Sequence, residues 1–237
     1  MGRGPYQPKL RSQHLPHPYE KAPMSIIYDS PISYDLHPGV AHVQAILTNL
    51  KPKTGLDLEA WVARVKAEGP AEEKARRTWF KTQGLGGNQA WFLAERSMGV
   101  SAHAFDDTPE GYLAAAPGYV TQQYTGKKAA FAPLYRQLVS LVRSLGPDIR
   151  ICPCQTMVPF YRQHVFAEVK PFASRLDLGL ALGDPAALTD ASGRLRETGG
   201  FARKDRLTHK LELRTEADLD AAALAWLKLA YERDRSA

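Results

Sequence analysis

A chain of 237 residues can form one large domain or two small ones, and 44% hydrophobic residues are enough for a packed core, which excludes a wholly disordered protein. A formal net charge of +6 favours anionic partners, nucleic acid first. Cys152 and Cys154 are the only cysteines, so a disulfide framework is excluded and a reducing cytoplasm is the expected setting.

No apolar run approaches the roughly 18 residues of a spanning helix, so no membrane partner is expected. The start of the chain, with Arg3, Lys9, Arg11 and several prolines, lacks the apolar stretch of a secretory signal. Residues 1–39 are rich in Pro, His and Tyr without periodicity and read as a flexible arm, in which Met24 is a second candidate for the true start.

A helical domain is expected over 40–103. Its first helix, from about His37, carries the stripe His42, Val43, Ile46, Leu47 and Leu50. The next is expected to start at Thr54 as N-cap, with Asp57 three residues on, and to bury Leu58, Trp61, Val62 and Val65 before Gly69-Pro70 ends it. A basic helix follows, with Lys74, Arg76, Arg77 and Lys81 outward and Trp79 and Phe80 inward. Gly84-Leu85-Gly86-Gly87-Asn88-Gln89-Ala90 then turns into a helix bearing Leu93 and Ala94, which Gly99 stops.

Residues 104–126 read as a connector: Thr108-Pro109-Glu110 starts a helix, and Ala114-Ala115-Ala116-Pro117-Gly118 is expected to stop it. From there to 237 an α+β domain is expected. A helix with Phe131, Leu134, Tyr135, Leu138, Val142 and Leu145 on one face precedes strands at 149–154, 164–169, 176–182 and 208–213. Leu176, Leu178, Leu180 and Leu182 alternate with Asp177, Gly179 and Ala181, a period of two with one buried face. A last helix, from Glu216, turns Leu219, Ala223, Trp226, Leu227 and Ala230 inward. The order predicts α+β architecture: a small all-helical domain, then a mostly antiparallel sheet flanked by two helices.

Several of these segments resemble a known pairing. Thr54-Gly55-Leu56 to Gly69, with Trp79 and Gly84-Leu85-Gly86, is similar to a short helical domain of unknown function found in bacteria. Gly126-Lys127-Lys128, Leu145-Gly146-Pro147-Asp148, Phe166 to Pro171, Arg175 to Leu180 and His209-Lys210-Leu211 resemble a second uncharacterised domain that commonly follows it. The resemblance covers roughly 50–235 and implies a bacterial, cytoplasmic, two-domain protein. It implies no activity. Cys152-Pro153-Cys154 departs from the pattern.

The glycine turn is the main functional clue. An apolar helix, Gly-apolar-Gly and a second helix resemble the helix-hairpin-helix element of DNA-binding proteins. Gly84 and Gly86 tolerate φ > 0 and close approach, and Gly87 and Asn88 open a helix whose unpaired N–H groups and positive dipole end suit a backbone phosphate. Arg76, Arg77 and Lys81 upstream and Arg96 downstream add charge. The plain alternative is a helix–helix turn in which glycine is present for sterics alone. A second basic run, Arg194, Arg196, Arg203, Lys204, Arg206 and Lys210 around Gly199-Gly200, with Phe201 among them, can follow a nucleic-acid backbone or be an ordinary solvated loop.

The enzymatic alternative is a Mg²⁺-dependent nuclease. Asp148 before one strand and Glu168-x-Lys170 on the next offer two carboxylates for the metal and a lysine to orient the attacking water, with Asp177 as a further oxygen donor. It requires the carboxylates to share one face of the sheet. A zinc site at Cys152, Cys154 and His164 lacks an evident fourth ligand, and His209 reads as a structural histidine. Gly-x-Ser-x-Gly, Walker and His-Glu-x-x-His motifs are absent, and no cofactor is expected beyond Mg²⁺ in the nuclease alternative. A third alternative is a small-ligand or protein-interaction module, with a pocket between the sheet and the Tyr-rich connector.

Overall fold

His37 fixes the start of the first helix in the computed structural model, which describes residues 31–99 and 108–234. His37 is extended, at φ −66° and ψ 131°, and its Nδ1 accepts the Gly39 N–H at 2.9 Å. Pro38 follows at the first helical position, where a missing N–H costs nothing. Helix α1 (Pro38–Thr54) buries Val40, Val43, Ile46 and Leu50, and Gly55, at φ +81°, ends it in the left-handed region. The helix start expected at Thr54 lies three residues further on. Thr54 is the last residue of α1, with Oγ1 donating to the Leu50 carbonyl and accepting the Trp61 indole N–H at 2.8 Å. Asp57 is the N-cap of α2 (Leu58–Glu68) and accepts from the Ala60 N–H at 3.1 Å.

Helices α3 (Glu73–Thr82) and α4 (Gly87–Ser97) complete the helical unit. Trp61, Val65, Phe80, Leu85, Phe92 and Leu93 fill its interior. Phe80 is fully buried, with its ring edge-on to Trp61 at 6.0 Å. Truncating such a residue to alanine costs about 3–5 kcal/mol.

Helix α5 (Pro109–Gln123) runs through the stop expected at 114–118. Its buried residues, Tyr112, Ala116, Val120 and Gln123, recur at helical spacing on both sides of Pro117, and Pro117 and Gly118 face solvent. Burial of that face outweighs the hydrogen bond lost at proline. The helix ties the two halves of the described chain together. Tyr112 and Ala116 pack with Val40 of α1 and Cys154, Tyr112 Oη donates to the Pro153 carbonyl at 2.9 Å, and Gln123 Nε2 donates to the Cys154 carbonyl at 2.7 Å.

The C-terminal half holds a six-stranded sheet, antiparallel throughout, with β1 (Arg150–Ile151), β2 (Val158–Tyr161), β3 (Val165–Pro171), β4 (Leu176–Leu180), β5 (Arg196–Glu197) and β6 (His209–Leu213) in the spatial order β1-β2-β3-β4-β6-β5. Helices α6 (Ala132–Arg143) and α8 (Ala221–Arg233) cover one face, and a one-turn helix, α7 (Gly200–Arg203), lies between β5 and β6. Leu134, Leu138 and Val142 of α6 and Ala223, Leu227 and Ala230 of α8 bury against Val169, Leu176, Leu178 and Leu211. The intervening strand residues Glu168, Lys170, Asp177, Lys210 and Glu212 point to the opposite face.

The strand expected over 149–154 is regular only at 150–151. The hairpin continues past it through Cys152 N–H to the Pro159 carbonyl at 3.1 Å and Cys154 N–H to the Met157 carbonyl at 2.9 Å. The last helix starts at Ala221, not Glu216, because Asp220 caps it by accepting from Ala223 N–H at 2.9 Å. Ahead of α1, the stretch around Asp35 lies along β1: Asp35 N–H donates to the Ile151 carbonyl at 2.8 Å, and its carboxylate accepts from Ile151 N–H at 2.8 Å and Arg143 at 2.5 Å. Among the described residues, no helix is long and apolar enough to cross a membrane.

Candidate nucleic-acid interface

The turn between α3 and α4 uses its glycines differently. Gly84 alone takes φ > 0, at +88°, and its N–H donates to the Lys81 carbonyl at 3.0 Å. Leu85 then drops into the helical core, 5% exposed, with its N–H on the Phe80 carbonyl at 3.2 Å. Gly86 is the N-cap of α4, extended at φ −66° and ψ 159°, and its N–H is taken by Gln89 Oε1 at 3.1 Å. The helical ladder begins with Ala90 N–H on the Gly86 carbonyl at 2.9 Å. That leaves the Gly87, Asn88 and Gln89 N–H groups without an acceptor among the described residues. They form the positive end of an 11-residue helix.

These amides border a groove of about 510 Å³ whose other wall is α1. His42, Asn49 and Lys53 line that wall, and the lining contains no acidic side chain. Lys53 is exposed and has no ion pair among the described residues. Asn88 Nδ2 lies 3.5 Å from His42 Nε2, across the groove. A side chain added at Gly87 would meet nothing within 4 Å, so glycine keeps the helix end bare.

The basic residues expected beside this turn divide. Arg76 is 9% exposed: its guanidinium donates to the Pro70 carbonyl at 2.7 Å, the Ser97 carbonyl at 3.0 Å and Ser97 Oγ at 2.7 Å, bracing the helical core. It is therefore a buried brace and not an outward-facing charge. Arg77 pairs with Glu73 and, at 3.5 Å, with Glu95. Lys81 is exposed without an ion pair among the described residues, but it does not line the groove. His42, Asn49 and Lys53 were not anticipated as site residues. Their signal is their spacing, at i, i+7 and i+11 on one face of α1.

In the second basic run, Arg203 pairs with Asp205 at 2.9 Å. Arg206 donates to the Val165 carbonyl at 2.7 Å and pairs with the buried Asp234. Lys204 is exposed, at φ +62°, without an ion pair among the described residues. None of the three lines the groove.

The residues of the nuclease alternative are not brought together. Asp148 accepts from Tyr231 Oη of α8 at 2.6 Å and from Arg162 Nε at 2.6 Å, and those bonds hold its carboxyl below the usual range. It precedes β1, on the side of the sheet that α8 covers. Glu168 and Lys170 lie on β3 and face away from α8. Two strand spacings alone separate the carboxylates by roughly 10 Å, too far for one Mg²⁺ to bridge. Asp177 is held by Arg175 at 2.5 Å and Lys210 at 2.8 Å.

Burial pushes the Cys152 and Cys154 thiols up to about 12, and no cluster of three potential metal ligands occurs among the described residues. His209 is buried beside Thr208, with Oγ1 to Nδ1 at 2.8 Å, and burial lowers its pKa. Tyr112 and Tyr124 of the connector are buried and fill space between elements.

Residues 120–234, from the last turn of α5 to the end of α8, match the family described as "Domain of unknown function (DUF5655)". No curated protein matches the chain, and no solved structure does. The groove lies outside the matched residues.

Proposed function

We propose that this protein is a non-catalytic nucleic-acid-binding protein of the bacterial cytoplasm, which holds a backbone phosphate at the N-terminus of α4. One observation carries the reading: three unpaired amides border a groove that also contains Lys53 and lacks any carboxylate. A phosphate there gains hydrogen bonds from N–H groups that otherwise face water, together with the positive helix end and one ammonium. These contacts position a backbone without reading bases, so the expected preference is for charge and not for sequence. Lys81, near the turn, adds to the local positive field. The two buried thiols accord with a reducing setting.

The test is fluorescence anisotropy with labelled single- and double-stranded oligonucleotides over a salt series. Binding that weakens steeply with salt, and a Lys53→Ala variant with both lower affinity and a shallower salt slope, support the reading. Absence of binding at low salt, or a Lys53→Ala variant indistinguishable from the parent, removes it.

A further inference from the structure

We infer that the outer edge of β1 is a docking site for an extended peptide of a partner protein, one in which an aromatic residue precedes an aspartate, and that residues 32–37 of this chain occupy it in cis. The inference does not depend on the groove at α4.

A sheet edge presents unpaired backbone groups, and an added extended segment can satisfy them. In β1, Ile151 stands opposite Phe160, and the neighbouring Cys152 N–H donates to the Pro159 carbonyl. That pattern turns the N–H and C=O of Ile151 away from β2, toward the edge. One residue meets both. Asp35 N–H donates to the Ile151 carbonyl at 2.8 Å, and the Asp35 carboxylate accepts the Ile151 N–H at 2.8 Å. Arg143, the last residue of α6, completes the receptor. It donates to the Asp35 carboxylate at 2.5 Å, to the Ser33 carbonyl at 3.0 Å and to the Ile149 carbonyl at 2.6 Å. One guanidinium therefore reads the acid and the backbone of an extended segment while it is held to the edge itself. Tyr34 supplies the aromatic contact: it packs against the core of the C-terminal half, with its hydroxyl 3.4 Å from Tyr135 Oη.

The resident segment is lightly held. Among the described residues it makes one backbone–backbone hydrogen bond to the edge, and none of residues 32–37 is buried. The Arg143 and Asp35 side chains are 35% and 32% exposed, so a competing carboxylate can reach the pair. Segments held this way open without the rest of the fold. The edge and its cover also belong to different parts of the chain. Arg143, Ile149 and Ile151 lie within the matched residues 120–234, and residues 32–37 lie outside them. The family domain thus carries the acceptor edge, and the cover comes from elsewhere.

The probe is a labelled synthetic peptide of residues 32–37, read by anisotropy against the full chain. The resident segment competes at high effective concentration. The receptor is therefore Asp35→Asn, which keeps an acceptor for the Ile151 N–H and loses the ion pair. Binding is expected to be about tenfold or more tighter to Asp35→Asn than to the parent. It is expected to be lost when the peptide carries Asp35→Ala, and lost when the receptor also carries Arg143→Gln. Hydrogen exchange on the parent is read alongside, and the Ile151 N–H is expected to exchange faster than the amides paired between β3 and β4. A folded Asp35→Asn chain that does not bind, or that binds the alanine peptide equally well, overturns the inference. So does an Ile151 N–H that exchanges only with global unfolding, a result that alone decides the case if Asp35→Asn does not fold. A parent chain that dimerises with concentration, while Arg143→Gln does not, seats a second copy's segment on the edge and overturns the partner peptide.

Discussion

Replacing Gly86 with aspartate separates stability from binding. Gly86 is the N-cap of α4, in an extended conformation open to any residue, and a Cβ there meets only Gln89 Oε1, at the ordinary distance of 3.7 Å. An N-cap carboxylate accepts from the second or third helical N–H, here Asn88 or Gln89. Relative to glycine the cap adds a few tenths of a kcal/mol, and the charge at the helix start adds about 0.3–1 kcal/mol. The variant is therefore expected to be more stable by about 0.5–1 kcal/mol, a rise in Tm of roughly 1–4 °C for a chain of this size. The same carboxylate occupies an amide that the phosphate needs. Losing one hydrogen bond to a charged group costs about 1.5–3 kcal/mol, and like-charge repulsion at close range adds about 1 kcal/mol under aqueous screening. Together they weaken binding by roughly a hundredfold or more. Thermal melts and low-salt anisotropy on the same sample read both effects. Gly86→Asn takes the amide without adding charge and is expected to fall between parent and aspartate. A Gly86→Asp protein that is more stable yet binds oligonucleotide as tightly as the parent refutes phosphate contact at these amides.

Arg76→Ala is expected to destabilise the protein by about 2–4 kcal/mol in urea unfolding, because it takes the guanidinium donor from the Pro70 and Ser97 carbonyls and leaves Ser97 Oγ only its bond to the Ala94 carbonyl. Arg77→Ala, at a partly exposed ion pair, is expected to cost under about 1 kcal/mol, and similar losses for the two would deny Arg76 its bracing role. Asp234 accepts from the Gln163 and His164 N–H groups at 2.9 Å each and pairs with Arg206. Asp234→Ala should cost about 2–4 kcal/mol and speed amide exchange at 163 and 164; unchanged exchange there would show that this carboxylate does not hold the β2–β3 hairpin. The Glu168 side chain has no hydrogen bond or ion pair among the described residues, and burial raises its carboxyl pKa, with Lys170 pulling the other way. Above the ordinary glutamate pKa the folded state thus holds more proton than the unfolded chain, so this group lowers stability as pH rises through its folded pKa. Glu168→Gln is expected to melt higher than the parent at pH 8, with the gap closing at pH 4; a gap that widens toward acid would reverse the sign and the reasoning.

Most of the architecture was legible because periodicity and burial coincide. The leucines at 176, 178 and 180 alternate in sequence and are all buried, and the apolar stripe of α6 is continuous from Leu134 to Val142. What failed was local punctuation. Ala-Pro-Gly at 116–118 has the composition of a stop, but a stop depends on whether the next turn has anything to bury. Val120 and Gln123 do, against residues far along the chain. Strands β2 and β5 carry no clean alternation, being four and two residues long and fixed by their neighbours. The extended run at Asp35 has no pattern either, and its place is set by Arg143 and Ile151, more than a hundred residues away.

The site was legible on one side only. Glycines between two helices mark a bend with free amides at the next helix start, so the α4 wall follows from local chemistry, although Gly86 is extended and does not use the positive φ that glycine tolerates. The charge that faces it does not. Arg76 and Arg77 are neighbours in sequence, yet helical geometry turns them about 100° apart. That angle sends Arg76 into Ser97 and leaves Arg77 between two glutamates. Lys53 lies more than thirty residues upstream on another helix, and only the packing of α1 beside α4 brings it to the groove. Proximity in sequence to the turn therefore does not identify the cation that lines its groove. A lysine is available to an anion when its face of the helix borders the groove and no carboxylate neutralises it. Among the described residues lining that groove, Lys53 meets both conditions.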